Sequence, residues 1–369
     1  MIKKSKIALY PVFADTLPVV RYLMKYRSDL EIVELLAPSG SCTSGMDACY
    51  LDNKETLGKS VQSIYDTEPS KWDDLYLLQH DFLGVSEDAV YKTMYAPIVS
   101  IARKNGRIVH EFSPLANASY WNTVLNEAHT RNGSIKRSGV IHRIKTFSVI
   151  VGGIIAEADA FEVFLRIYGE LKQHLNVVAF STSKNAEICG TIGIHGILNN
   201  RLYSEEQKIT VLGEALEREI SARKADVMLL QLEEPLMPFS DTQTNGFGII
   251  PYFVSQLITP DFCICSLPFG YADLGFLQGF CEGLEGQLGF GPDYWHLSNT
   301  MIDFTTTSMI RDLGALHLPM NAIKSALIQL RKQPDFKNVG NAMIPAQLNE
   351  IIDMILQAFY DNNAMSSII

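Results

Sequence analysis

Two glycines followed six residues later by an acid are the first feature that could do chemistry. SVIVGGIIAEADAFEVFLRIYGELKQ, Ser148 to Gln173, reads as an apolar strand, a short loop opening on Gly152 and Gly153, and a helix. Such a loop can turn backbone N–H groups toward an anion, with a helix N-terminus behind them. Its nucleotide-binding form is GxxxxGK[ST], where the lysine neutralises the β and γ phosphates and the hydroxyl holds Mg²⁺. Counting from Gly153 places Ala158, Asp159 and Ala160 at the Gly, Lys and Ser/Thr positions. An aspartate there, with Glu157 close by, repels phosphate, so ATP or GTP hydrolysis by the standard route is not expected. Three readings stay open. The loop is a tight turn with Asp159 as an N-cap, a degenerate site with a role for an anion or small molecule, or a place where Glu157 and Asp159 hold a cationic group.

Three further clusters sit where strands should end. Glu233 and Glu234 follow the apolar run Ala225–Leu232. A carboxylate at that location holds Mg²⁺ in phosphate-loop proteins. Adjacent strand residues point to opposite faces, so the two acids converge only if the strand has ended. Ser181 to Lys184, in STSK, offers hydroxyl donors and a cation for a carboxylate or phosphate. Asn245-Gly246 and Gly248, in DTQTNGFGII, can form a nest of N–H groups before a helix. Each cluster has a plainer reading as ordinary turn chemistry or a solvated loop. No two of the eight histidines have metal-ligand spacing, and there is no CxxC pair and no GxSxG elbow. No metal and no cofactor is expected.

These loops need a frame, and the chain supplies alternating strands and helices. Lys6–Phe13, Leu30–Pro38, the stretch around Val61, Asp74–Phe82 and Arg107–Phe112 read as strands, with helices between them and a long helix kinked or started at Pro97 and ended by Asn105-Gly106. This is the pattern of a parallel, doubly wound sheet. The turn after the first strand, PVFADTLP, contains no glycine, so a standard dinucleotide site is not expected there. SGSCTSGMDACY, Ser39–Tyr50, reads as a loop at a strand's carboxyl end, and NASYWNTVLNEAHT as a helix. Arg131 to Lys145 combines two glycines, two serines and five Lys/Arg, and reads as a linker. The predicted organisation is a Rossmann-like α/β domain over 1–130, a linker over 131–146, and a degenerate P-loop-like α/β domain with C-terminal helices over 147–369. Those helices close the domain, pack on the first unit, or support a homodimer.

The 369 residues carry a formal charge of −10 and no long basic run, which argues against nucleic acid and against an anionic membrane surface. No uninterrupted apolar run reaches about 18 residues, the length a spanning helix needs. The N-terminus reads as a strand rather than a signal peptide, and the expected location is cytoplasmic. The six cysteines read as reduced, mostly buried thiols, with Cys263 and Cys265 on one face of a strand.

Within the second half, Asp159 and Phe161 at a helix start, the STSK strand end, ICG, the DVMLL strand, PLMP and TNGFGIIPYFVSQLITPDF occur in order. Together they resemble the peptide maturation system proteins of clostridial clusters. Such clusters make ribosomally synthesised, modified peptides beside a radical-SAM enzyme and a small carrier-like protein. The resemblance is strongest over about 147–300. In that family a lysine often follows the helix-start aspartate, and here the position is Ala160. A more distant likeness is to the family that joins a Rossmann-like domain to a P-loop domain and is linked to D-glutamate N-acetylation. Its GK[ST] signature is absent here. The resemblance implies an accessory protein that binds a precursor peptide, a pathway enzyme such as a radical-SAM protein, or a small ligand. The alternative is a transferase or ligase-like enzyme acting on a small acid or nucleotide-derived substrate, with Glu233, Glu234 and Asp159 as candidate catalytic groups.

Overall fold

The computed structural model describes residues 4–41, 44–80, 87–111, 143–241, 244–305 and 314–366. The chain divides into two units, Met1–Ser113 with Glu187–Cys189, and Pro114–Ala186 with Gly190–Ile369. The helix expected over 117–130 and most of the expected linker lie outside the described residues.

The first unit is built on strands β1 (Ser5–Tyr10), β2 (Leu30–Ala37), β3 (Val61–Ser63), β4 (Asp74–Leu77) and β5 (Ile108–Glu111). They form one parallel sheet in the order β3-β2-β1-β4-β5. Helix α1 (Leu17–Tyr26) buries Leu17, Val19, Val20 and Leu23 along one stripe, as its 3.6-residue pattern requires. Thr16 occupies its N-cap but supplies no side-chain cap; its hydroxyl accepts from the Phe13 N–H at 2.9 Å instead. The long helix before Gly106 is interrupted beside Pro97, where a kink or a start was expected. A short helix α2 (Glu87–Val90) runs into a π turn over Tyr91–Tyr95, and α3 (Ala96–Lys104) starts beside Pro97. Proline lacks the N–H that would continue the ladder, which is the physical reason for the break. Glu34 is buried and accepts from Thr67 Oγ1 (2.5 Å), Trp72 Nε1 (3.0 Å) and the Glu68 N–H (3.1 Å), fastening the segment before β4 to β2.

The second unit holds β6 (Phe147–Gly153), β7 (Val177–Ser181), β8 (Ile192–Gly193), β9 (Val227–Gln231), β10 (Phe262–Leu267), β11 (Tyr294–Leu297) and β14 (Val339–Gly340). Their order is β14-β11-β10-β6-β9-β7-β8, all parallel, and a separate hairpin pairs β12 (Thr300–Asp303) with β13 (Gly314–His317). β6 is central, and all seven of its residues are buried. A strand covered on both faces reads as a continuous apolar run, and FSVIVGG does. Helix α4 (Ala160–Leu171) and α10 (Pro345–Ser366) pack on one face of β6. The other face carries the large core, where Ile150, Phe180, Leu230 and Cys265 meet α6 (Glu205–Arg223), α7 (Ile249–Ser255) and α8 (Leu274–Leu288). The unit also contains the one-turn helix α5 (His195–Leu198) and helix α9 (Met320–Leu330). α6 begins with a reciprocal capping box between Ser204 and Gln207. Cys263 and Cys265 lie on one face, fully buried, and burial pushes both thiols up. Because the strands are parallel, the loops after β6, β7, β9, β10 and β11 gather at a single edge of the sheet.

Candidate functional site at the carboxyl edge of the second sheet

Gly152 and Gly153, expected to open the first loop, are instead the last two residues of β6, paired with Cys265 and Ser266 of β10, and they are there for close approach. A Cβ on Gly152 would stand 2.6 Å from Leu236 Cδ2, and one on Gly153 would stand 2.8 Å from the Ile155 carbonyl. The Leu236 N–H donates to the Gly153 carbonyl at 2.9 Å, and the Ile154 N–H donates to the Ser266 carbonyl at 2.9 Å. The loop is thus laced to the ends of β9 and β10.

Asp159 occupies the N-cap position of α4 in a left-handed conformation, φ +65°. Its carboxylate does not cap the helix. Instead it accepts a 2.6 Å hydrogen bond from Ser298 Oγ, and His296 Nε2 lies 3.7 Å from the same oxygen. His296 is fully buried, while the Asp159 side chain is 8% exposed. The Ala342 N–H donates to His296 Nδ1 at 3.0 Å, so that nitrogen carries a lone pair. The ring proton then sits on Nε2, facing the carboxylate. Ser298 is itself oriented by the Thr300 N–H (2.9 Å), and Thr300 Oγ1 donates to the Glu157 carbonyl at 2.9 Å. The side chain expected to act as an N-cap therefore ties the loop to the segment after β11. The N-cap reading is corrected in that respect: a residue in the left-handed region aims its side chain differently from one in the extended N-cap conformation.

On the far side of β6, Ser181 Oγ donates to Gln231 Oε1, and the Ser183 N–H donates back to Ser181 Oγ at 2.9 Å. Thr182 Oγ1 donates to Glu234 Oε2 (2.8 Å) and accepts from the Glu233 N–H (2.7 Å). β9 has ended at Gln231, which is the condition the two glutamates needed. Only Glu234 is brought to Thr182 through its side chain; Glu233 is brought there through its backbone. Lys184, Glu157, Glu233 and Glu234 are half-buried. Gln231 Nε2 and Ser266 Oγ, both at this edge, are fully buried and have no hydrogen-bond partner among the described residues.

The fourth cluster joins the first. Asn245 Nδ2 donates to the Ile154 carbonyl (3.2 Å) and the Met237 carbonyl (3.4 Å). The N–H nest expected at Asn245–Gly248 is partly consumed, since the Phe247 N–H donates to the Thr244 carbonyl and the Ile249 N–H to the Gly246 carbonyl. Gly246 is in open space, whereas Gly248 lies against the Leu236 carbonyl. Among the described residues, no three His, Cys, Asp or Glu side chains are grouped to hold a metal ion, and no helix is long and apolar enough to cross a membrane.

Sequence reasoning missed His296, Ser298, Thr300 and Gln231, whereas Thr182, one of the hydroxyl donors expected in STSK, does donate to a carboxylate. The Ser298 to Asp159 bond spans 139 positions, and no local pattern announces it. A buried histidine inside the apolar stretch YWHL was the one available signal. A direct check is Ser298→Ala, which removes the hydroxyl that donates to this nearly buried carboxylate. It is expected to cost about 1–3 kcal/mol of stability by urea unfolding, with Ser298→Thr recovering part of the loss. An unchanged unfolding midpoint would mean that the hydroxyl holds nothing.

Taken with the strand order, this edge defines a two-unit α/β protein whose second sheet has the P-loop-like arrangement, with the glycine loop following the central strand. One solved structure agrees at the level of fold. The structure of a DUF1611 family protein from Anabaena variabilis matches with a TM-score of 0.52 and 11% identity, over 96% of this chain and all of that one. A putative plasmid partition protein from Borrelia burgdorferi bound to AMPPNP is less similar, with a TM-score of 0.33 and 11% identity over 59% of this chain and all of that one. No family model matches the chain, and no curated protein matches it.

Proposed function

We propose that the protein is a binding component of a peptide-modification pathway, acting in the cytoplasm, and that its second unit uses a nucleotide-type frame without nucleotide chemistry. The observation that carries the second half of this reading is Asp159. It stands where the phosphate-neutralising lysine would, and its carboxylate is held by Ser298 beside buried His296. A phosphate placed over this loop would meet a fixed negative charge in place of a cation, at a cost that grows as water is excluded. Support for the peptide pathway comes from the run of segments between Asp159 and Phe262, above all TNGFGI, that resembles peptide maturation system proteins. The partners on this reading are a precursor peptide or a pathway enzyme of the radical-SAM type.

Calorimetric titration with ATP and GTP, with and without Mg²⁺, is expected to give no binding at micromolar concentrations. A micromolar or tighter Kd would overturn the reading of the loop. Co-purification with proteins encoded beside it is expected to recover at least one partner, and recovery of none would count against the pathway.

One observation favours a second reading, a transferase or ligase-like enzyme. Gln231 Nε2 and Ser266 Oγ are buried and unpartnered at the ends of the two strands flanking β6. A buried polar group without a partner costs free energy, and a small acid could satisfy both. Alanine at Glu233, Glu234 and Asp159 in turn separates the readings, because unchanged product formation in the reconstituted pathway removes the enzyme.

A further inference from the structure

The first sheet, in the order β3-β2-β1-β4-β5, reverses direction between β1 and β4. Right-handed crossovers then put α1 and α3 on opposite faces. The loops leading into them part at that point, and open α/β sheets bind ligands in the crevice so formed at the carboxyl ends. Aromatic rings stand at this edge. His80, three residues past the end of β4, packs against Phe13 from the turn after β1, with ring centroids 4.3 Å apart. His80 Nδ1 lies 2.7 Å from Asp15 Oδ2, so the two loops are pinned together across the reversal.

A series of tyrosines continues from the same strand ends. Tyr10 closes β1, donates to the Met94 carbonyl at 2.8 Å and meets Tyr95 edge-on at 5.9 Å. Tyr95 donates to the carbonyl of Leu78, two residues before His80, at 2.8 Å, and Tyr91 stacks on Tyr95 at 6.4 Å. Burial pushes the Tyr10 phenol up, and the nearby Tyr95 and Tyr65 hydroxyls add to the shift, which brings Tyr65, just after β3, to the same edge. Exposure rises outward along the series: Tyr10 is fully buried, Tyr95 is 6% exposed, Tyr91 40% and Tyr65 69%. A scattered surface ring needs no explanation, but two exposed rings linked to a buried pair at a ligand-binding edge form a patch. Tyr91 and Tyr95 also lie in the π turn, a feature that recurs at functional sites.

The exposed faces favour a flat ring, which they can stack against. Phosphate is disfavoured twice over. The turn Pro11–Thr16 has no glycine to let the backbone approach a pyrophosphate. The half-exposed carboxylate of Asp15 would repel one.

We propose that the carboxyl edge of the first sheet binds a nucleoside without its phosphates, the base lying against the exposed rings of Tyr91 and Tyr65 and its N–H or hydroxyl groups donating to Asp15. This site lies within the first unit and does not depend on whether the protein serves a peptide pathway.

Calorimetric titration of the full chain with adenosine, ATP and ribose, each taken to millimolar concentration, tests it. Adenosine is expected to bind, ATP about tenfold more weakly, and ribose not at all. Tyr91→Ala and Tyr65→Ala should each weaken adenosine binding about tenfold, whereas Tyr91→Phe, which keeps the ring, should leave it level. Tyr65 is mostly exposed, so the thermal midpoint of Tyr65→Ala should not move, and that variant keeps the test sound if Tyr91→Ala perturbs its helix. The proposal is overturned by no adenosine binding, by ATP binding as tightly as adenosine, by ribose binding as tightly as adenosine, by affinity unmoved in both alanine variants, or by an equal loss in Tyr91→Phe.

Discussion

Gly248→Ala is expected to lower the thermal midpoint of the second unit by roughly 6–12 °C. Two effects add. Gly248 has φ +65°, where an alanine costs about 1–2 kcal/mol. The new Cβ would also stand 2.8 Å from the Leu236 carbonyl and 3.2 Å from Met237 Cα, backbone atoms that cannot rotate away. Leu236 is in turn bonded to Gly153, so relieving the clash moves the glycine loop itself. The total is about 3 kcal/mol. Gly246→Ala is the matched control: its φ is +64° but no atom lies within 4 Å of its Cβ, so only the conformational part should appear. Differential scanning fluorimetry of both variants decides it, and equal shifts would show that the close approach contributes nothing.

The first unit should be most sensitive at Arg21. Its guanidinium makes two parallel hydrogen bonds to Asp52, both 2.7 Å, and Lys54 Nζ lies 3.9 Å from the same carboxylate. The side chains of Arg21, Asp52 and Lys54 are 5%, 3% and 4% exposed. Burying such a pair is itself nearly neutral, but removing Arg21 takes from the buried Asp52 carboxylate its two short hydrogen bonds and leaves it only the longer contact to Lys54 among the ion pairs described. Arg21→Met is therefore expected to cost about 3–5 kcal/mol, measured by urea unfolding. Arg21→Lys retains the charge without the fork and should recover only part. A loss below about 1 kcal/mol for Arg21→Met would mean that water reaches Asp52.

The parts legible in the sequence were those with a short-range physical signature. Alternation of apolar runs and amphipathic stretches yielded parallel strands in both halves, because a central strand such as FSVIVGG must be apolar throughout while α1 needs only a stripe. Glu233-Glu234 and Asn245–Gly248 were recognisable as loop residues because glycine and paired acids after an apolar run have few other uses, whereas Gly152 and Gly153, read as the opening of a loop, are the last two residues of β6. What each loop residue does was not legible. The Asp159 carboxylate has a choice between its own helix and a serine far along the chain, and only the register of β10 with β11 settles it. The β12–β13 hairpin and β14 also escaped notice. Each is short, and β14 is only two residues long, held in place by β11.

The position of β6 has a consequence for how the protein is made. Phe147 pairs with Val227, and Val149 with Phe262. Until those partners leave the ribosome, a seven-residue apolar strand has both edges bare. At roughly 5–20 residues per second that interval lasts several seconds. Unpaired edges of this kind are templates for other chains. Yield in a heterologous host should thus depend on chaperone supply and temperature more than on the stability of the finished fold. Slow synthesis would lengthen the exposure of β6.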